Sequence, residues 1–579
     1  MVLTRRKSSA ATHADVDDAE PPSEAAAAPA TDATETFFVA KSLMLRLLGL
    51  VYFCAFVGAY LQNGPLLGKK GLSPAAPVFQ QHQQAAASRL EGFKAHPAIW
   101  WWIPLTDTSM EKVAMSGMVL SALVTFGFHS WLVMLALWLL DFSIVTAAEG
   151  SSFYQYGWES QLLETGFLAI FLCEGPFPFS TALPFGAHTR APPSPLILYL
   201  LRWLCFRISI GAGLIKMRGG SCWEEKTCLH YHFETQPIPS PLSFFFHFLP
   251  KPILSRAVDL DLFVQFYSSW TVLIPGLLAP LRWIRRFGGA TQALFMVNIA
   301  LSGNLGFLNH LTVVPALAAL DDSCWPSWLR AAISGRGRRA APSPRMLPSR
   351  FFRLAVELAL VVAVSVLSYP VVANLLQLDG RKQVMNSSFG AFRLVNTYGA
   401  FGSVGEARYE PVIAITYSEK WWDADVWTEI ELPCKPGNTT RRPCFCAPYH
   451  YRLDWNIWFI GFKPHVYMLE HREDWLFNLV RQMLQGSKLS HPLLDASSAA
   501  KLAAKGRRPR YARVDMYRYQ MAAPLWELLA QWWAAPAGTP ITWWVRMYED
   551  RLIPPMELGK GAKLVRAKVM GEKEARKFR

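Results

Sequence analysis

Charge is what this chain has little of. Asp, Glu, Lys and Arg make up 17% of its 579 residues, against roughly 25% in an average soluble protein. Beside 52% hydrophobic and 13% aromatic residues, that shortage excludes an ordinary soluble globule and points to a polytopic membrane protein with a soluble portion. Nor does the N-terminal stretch read as a cleavable signal peptide, and none is expected. Residues 1–36 are rich in Ala, Thr, Asp and Glu and read as a disordered tail. The first apolar run, near Ser42 to Leu61, has no compelling small-residue cleavage site and reads as a retained anchor. There is no P-loop, no H-E-x-x-H, no G-x-S-x-G and no dinucleotide fingerprint, so nothing supports the enzyme classes those motifs mark, and no cofactor is implied. Asp423, Asp425, Glu429 and Glu431 are better read as solvated residues than as an acid–base pair. The net charge of +15 does not indicate nucleic acid, because Lys and Arg cluster between apolar runs, where they mark the cytoplasmic side of a membrane.

Apolar runs stand at about 42–61, 113–128, 131–148, 161–174, 195–216, 260–281, 291–320 and 351–376. Several approach the ~20 residues that span a hydrocarbon core. Between them lie two arginine-rich connectors: Arg282, Arg285 and Arg286, then Arg330, Arg336, Arg338, Arg339, Arg345 and Arg350. Both are expected in the cytosol. The run at 291–320 must then cross twice or re-enter, with Asn304 and nearby glycines supplying the break. The expected organisation is a cytosolic tail at 1–40, a bundle of seven to nine helices at 41–378, a lumenal loop at 217–259, a lumenal domain at 379–559 and a basic flexible tail at 560–579. Arg46, Asp141, Glu164, Arg202, Arg207 and Glu357 lie in or beside apolar runs. They are expected to snorkel or to pair inside the bundle.

The nine cysteines sort by side. Cys54, Cys173 and Cys205 fall in apolar runs and Cys324 near the cytosolic face, whereas Cys222, Cys228, Cys434, Cys444 and Cys446 fall on the oxidising side. Five is odd, so at least one thiol has no partner in that set. Local pairing would close Cys222–Cys228, and Cys434 with Cys444 or Cys446. A zinc reading of Cys222, Cys228, His230 and His232, with the two histidines on one strand face, fits none of the usual spacings. Asn386-Ser387-Ser388 and Asn438-Thr439-Thr440 are glycosylation acceptor triplets in the segment placed outside the cytosol. From Arg381 onward, FGAFRLVNTYGAFG, YEPVIAITYS, VWTEIELPC and RYARVDMYRYQM alternate like strands, while LDWNIWFIGF and EDWLFNLVRQMLQ have helical periodicity. The fold class is thus a polytopic α-helical bundle followed by a β-rich (α+β) lumenal domain large enough for its own core. Trp421, Trp422, Trp427, Trp455 and Trp458, with Tyr449 and Tyr451, crowd near the cysteine loop; a partner-binding surface would use such aromatics if exposed, while burial in the core is the default expectation.

Long strings carry a resemblance. SQLLETGFLAIFLCE at 160–174, LLRWLCFRISIGAGLIKMRGGSCWEEKTCLHYHFETQPIPSPLSFFFHFLP at 200–250, VNTYGAFGSVGEARYEPVIA at 395–414 and ELPCKPGNTTRRPCFCAPYHYRLDW at 431–455 resemble the lipase maturation factors over about Ser42 to Leu558. The resemblance implies an endoplasmic-reticulum membrane protein that helps secretory proteins, lipases among them, to fold and assemble, with clients engaged by the lumenal domain. Carried onto this chain, the client-binding candidates are the segment from Asn396 to Gly402, with Tyr398 and Gly399 in it, and the Cys434–Cys444 loop, joined by Trp421, Trp422, Tyr449 and Tyr451 on the aromatic argument. Cys446 lies outside the family pattern and is the candidate free thiol. The membrane part resembles, more distantly, that of the vitamin K-dependent carboxylase, which implies as an alternative a membrane-embedded enzyme or transporter acting on a lipid or protein substrate, with no catalytic residues assigned.

Overall fold

The computed structural model describes residues 35–173, 192–276, 278–334, 347–378, 380–462, 475–504, 506–536 and 538–567. Most of the expected N-terminal tail, Arg336, Arg338, Arg339 and Arg345 of the second basic connector, and the end of the basic C-terminal tail lie outside them.

The apolar runs form helices: α1 (Phe38–Leu67), α2 (Asp107–Thr125), α3 (Trp131–Ala147), α4 (Gly157–Ile170), α5 (Pro195–Met217), α6 (Lys251–Leu262, continued by a π-helical turn at Phe263–Ser268), α7 (Ala279–Ser302), α8 (Leu308–Ala316) and α9 (Leu347–Leu376). Among the described residues, three stretches are long and apolar enough to cross a membrane: Phe38–Leu67, Pro195–Met217 and Phe351–Leu376. Trp131–Ala147 and Leu308–Ala319 are shorter apolar helices. The architecture is therefore a helical membrane portion with three candidate spans, coarser than the seven to nine crossings expected.

Small residues set the tightest helix contact. A Cβ on Gly49 of α1 would meet the Thr125 backbone nitrogen of α2 at 2.7 Å, and one on Gly117 of α2 would meet the Phe56 ring of α1 at 2.3 Å. The two helices therefore lie antiparallel with their backbones close, as small residues permit.

Helix ends sort into two groups. At one end the Asp322 carboxylate accepts from Phe38 N (3.1 Å) and Val39 N (2.8 Å), capping α1. Arg285 pairs with Glu35 (2.6 Å) and Asp321 (3.0 Å), Arg286 pairs with Asp321 (2.6 Å), and Arg202 donates to Ala318 O (2.8 Å). At the other end Lys216 pairs with Asp261, and Arg218 donates to Leu375 O (2.8 Å) and Gln383 Oε1 (2.8 Å). Helices α7 and α8 form a hairpin between these ends. Asn304 and Gly306 (φ 55°) stand at its tip, where the sequence pattern implies a break.

The C-terminal region is an antiparallel five-stranded sheet of order β2-β1-β3-β4-β5, with β1 (Arg408–Thr416), β2 (Thr428–Ile430), β3 (Tyr511–Met521), β4 (Trp544–Leu558) and β5 (Leu564–Arg566). Pro411 is tolerated in β1 because β2 pairs only with Ile413 to Ile415, leaving Pro411 without a neighbour on that edge. Among the described residues four helices accompany the sheet: α10 (Arg452–Trp458), α11 (Trp475–Leu484), a helix at Ala496–Ala504, and α12 (Leu525–Ala534).

Two expectations are corrected. FGAFRLVNTYGAFG forms no ladder beyond one bridge, Ser388 to Asn396. Arg393 and Phe401 adopt positive φ (49° and 54°), which breaks a strand, and the Asn396 backbone N–H is taken by the Glu164 carboxylate. Among the described residues the C-terminal domain also has no main core separate from the helices: one apolar cluster runs from Met44 and Tyr52 on α1 to Ile413, Leu453, Trp475 and Val514.

Candidate functional site

Polar side chains stitch the sheet domain to the helices at several places. Gln62, in the last turns of α1, donates to His450 O (2.8 Å) and Tyr449 Oη (2.9 Å) and accepts from Arg452 N (3.0 Å). Buried Arg452 donates to Glu159 (2.6 Å) and Phe153 O (2.8 Å), with its guanidinium 3.5 Å from the Tyr154 ring centre. Asn304 donates to Cys444 O (2.8 Å) and accepts from Cys446 N (2.8 Å) and Ala447 N (3.1 Å). Arg408 donates to Glu234 O (2.7 Å), Gln236 O and Pro237 O (3.1 Å). Every one of these satisfies buried backbone groups of the facing domain, which would be costly to leave unpaired.

The segment from Asn396 to Gly399 belongs to this seam. Glu164 is buried with Arg207, and its Oε2 accepts from Asn396 N (3.1 Å), Asn396 Nδ2 (3.0 Å) and the Tyr398 hydroxyl (2.7 Å). Asn396 and Tyr398 are buried, and a Cβ on Gly399 would meet the Met385 side chain at 2.8 Å. Three residues that the sequence offers for client contact thus sit in the interior, where their hydrogen bonds and close packing hold the domains together. The charges on which an enzyme reading would draw are mostly engaged likewise: Glu164 with Arg207, Arg202 with Ala318 O, Glu357 with Ser194 (2.6 Å) and Arg353 (2.8 Å), and Arg46 with Thr125 O (3.0 Å), whereas Asp141 is buried with its Oδ2 unsatisfied among the described residues.

Cys222 bonds to Cys228, and Cys434 to Cys444. His230 and His232 lie on a short helix, Cys228–Thr235, not a strand. Two residues apart, they cannot share a helix face: His230 meets Ser255 (3.2 Å) and half-buried His232 packs its ring on Phe401. Cys446 is free, and burial pushes its thiol up to about 12. Beside the second disulfide, Asp454 accepts from Cys434 N (2.7 Å), and burial lifts its carboxyl to about 7. Asn438 is exposed; its Oδ1 accepts from Thr440 N (3.0 Å) and Thr440 Oγ1 (3.1 Å) in an Asx turn. Asn386 is exposed, with positive φ (56°).

The aromatic candidates divide. Trp455 is buried, Trp421, Tyr449 and Tyr451 are half-buried, and Trp422 is exposed. The larger exposed aromatic face lies elsewhere. On α12, Trp526, Leu529, Trp532 (61% exposed) and Trp533 (79%) face outward, and Val545, Met547 and Tyr548 of β4 are exposed too. This face adjoins the cysteine loop, since Trp543 N and Trp544 N donate to Thr439 O. The signal for it in the sequence is LWELLAQWWA: ten residues with only Glu527 and Gln531 polar, more apolar surface than a short helix can bury on one side.

Comparison with known proteins agrees in both halves. The family model of the lipase maturation factor transmembrane domain matches residues 39–327, and that of the lipase maturation factor C-terminal domain matches residues 394–554. Lipase maturation factor 1 of Mus musculus is 36% identical over 96% of this chain and 94% of its own length; that of Homo sapiens is 37% identical over the same shares. Lipase maturation factor 2 of Rattus norvegicus is 26% identical over 90% of this chain and 83% of its own length. No solved structure matches. The chain belongs to the lipase maturation factor family.

Proposed function

We propose that this chain is an endoplasmic-reticulum membrane factor, not an enzyme, that assists folding and assembly of secreted lipases. Its arginine-bearing helix ends would lie in the cytosol and its sheet domain, disulfides and Asn386 and Asn438 triplets in the lumen. The family supports the client class, because the relatives are named for lipase maturation. The observation that carries the mechanism is the outward face of α12, on which Trp526, Leu529, Trp532 and Trp533 stand exposed. Exposed aromatics rimmed by polar residues mark protein contact sites. A folding lipase with unburied apolar surface would dock there, held against the membrane until its own surface closes.

The test replaces Trp532 and Trp533 by Ser in cells lacking the endogenous factor and expressing a lipase client. Secreted lipase activity is expected to fall severalfold while the abundance of the variant stays unchanged. Unchanged secretion at equal abundance would overturn the assignment of this face.

A further inference from the structure

Three side chains with metal-binding donors meet where the connector after α1 folds back on α3. His82 lies in the helix Ala75–Ala85, His96 ends the helix Arg89–Ala95, and Glu149 follows α3. Local bonds bring them together. Thr146 Oγ1 donates to Pro97 O (2.8 Å), Trp101 Nε1 to His96 O (2.8 Å) and Gln83 Nε2 to Trp100 O (3.1 Å). His96 Nδ1 then stands 2.8 Å, and His82 Nε2 3.6 Å, from the same Glu149 oxygen, Oε2. The three donor atoms all lie within 4.8 Å of one another. The two imidazole rings stack with centroids 3.8 Å apart.

A hydrogen bond accounts for His96 and Glu149 but not for His82. His82 Nε2 is buried and makes no hydrogen bond among the described residues, although a carboxylate oxygen faces it just beyond reach. Buried polar atoms normally find partners. A cation between the three donors satisfies them together. Zinc takes imidazole nitrogen and carboxylate oxygen at about 2.0–2.2 Å in tetrahedral geometry, which sets its donors roughly 3.3 Å apart. The two Glu149 distances bracket that value. Two imidazoles and one carboxylate, with water in the fourth position, is a recurrent zinc donor set, whereas magnesium and calcium take oxygen donors. The other carboxylate oxygen, Oε1, lies 3.3 Å from Arg393 Nη2. That contact orients Glu149 as outer partners of metal ligands do. The side chains of His82, Glu149 and His96 are 25%, 28% and 32% exposed, which leaves an ion a way in and the rings room to part around it.

We propose that His82, His96 and Glu149 hold a zinc ion, which pins the 75–96 connector to the end of α3 and, through Glu149 and Arg393, to the segment leading into Asn396. The ion acts as a clasp. This goes beyond the proposed client role and does not depend on the α12 face.

The probe is zinc alone, offered to untagged full-length protein in nanodiscs after stripping with a chelator. The wild type is expected to retain one zinc per chain through desalting, read by elemental analysis. Glu149→Gln and His82→Ala should each lose it, and His230→Ala should keep it. Zinc should slow hydrogen exchange at residues 393–399 in the wild type and leave Glu149→Gln unchanged. Cobalt substitution reads the wild-type site whether or not a variant folds: the visible bands of four-coordinate cobalt are expected, without a thiolate charge-transfer band. A wild type that retains no zinc overturns the proposal. So does equal retention in folded Glu149→Gln, a thiolate band or the pale spectrum of six-coordinate cobalt, or exchange at 393–399 that zinc does not alter.

Discussion

Tyr398→Phe separates a structural role for the Asn396–Gly399 segment from a client-binding one. The substitution removes one hydroxyl and little volume. In the native chain that hydroxyl lies 2.7 Å from Glu164 Oε2, and both groups are buried. A hydrogen bond to a charged acceptor contributes about 1.5–3 kcal/mol. Glu164 keeps Arg207 and the two Asn396 donors, so the carboxylate is not orphaned and the lower part of that range, about 1.5–2 kcal/mol, applies. If this seam opens as a local unit, its open population should rise roughly 10- to 30-fold. Hydrogen exchange at Thr397 to Gly399 in nanodisc-held protein reads that population directly. A double-mutant cycle with Glu164→Gln should show coupling between the two positions. Unchanged exchange combined with lost client maturation would refute the reasoning, because the hydroxyl would then serve the client and not Glu164.

Asn304→Ala removes three hydrogen bonds to the Cys444–Ala447 backbone; at about 1 kcal/mol each, exchange at those amides should accelerate by two orders of magnitude or more, and an unaltered rate would show that the hairpin tip does not clamp the loop. Asp454 binds its proton more tightly folded, at about 7, than at its unfolded value of ~3.9. Stability of the cysteine loop should therefore fall as pH rises from about 4 to 7, and Asp454→Asn should flatten that slope in exchange measured across the range. The Cys446 thiol, pushed up to about 12, should resist alkylation at pH 8 in folded protein and react promptly after denaturation; prompt reaction of the native chain would contradict its burial. Asn386→Gln and Asn438→Gln should each abolish one glycosidase-sensitive mobility shift, and an unshifted wild type would overturn the proposed sidedness.

Legibility follows local pattern. The helices at 195–217 and 351–376, strands β1 and β3 and helices α10 and α11 are readable because each repeats an apolar period within its own residues. The Asn396 segment alternates like a strand but is not one, because its backbone groups are spent on Glu164, more than two hundred residues earlier, and no local period records that. Which aromatics are buried is illegible for the same reason. Trp455 packs against Trp158 from a helix far earlier in the chain, whereas Trp532 and Trp533 stay largely uncovered. Composition can say that aromatics abound, but tertiary contacts decide which are spent inside.

The shared core has a consequence for chains that end early. A stop codon between the last candidate span and α10 would delete Asn396 or Arg452 while leaving Glu164 and Glu159 in place. The remnant would not be an intact anchor lacking its working head. It would be a membrane stub with Glu159 stranded without its buried arginine, the kind of lesion that cellular surveillance destroys.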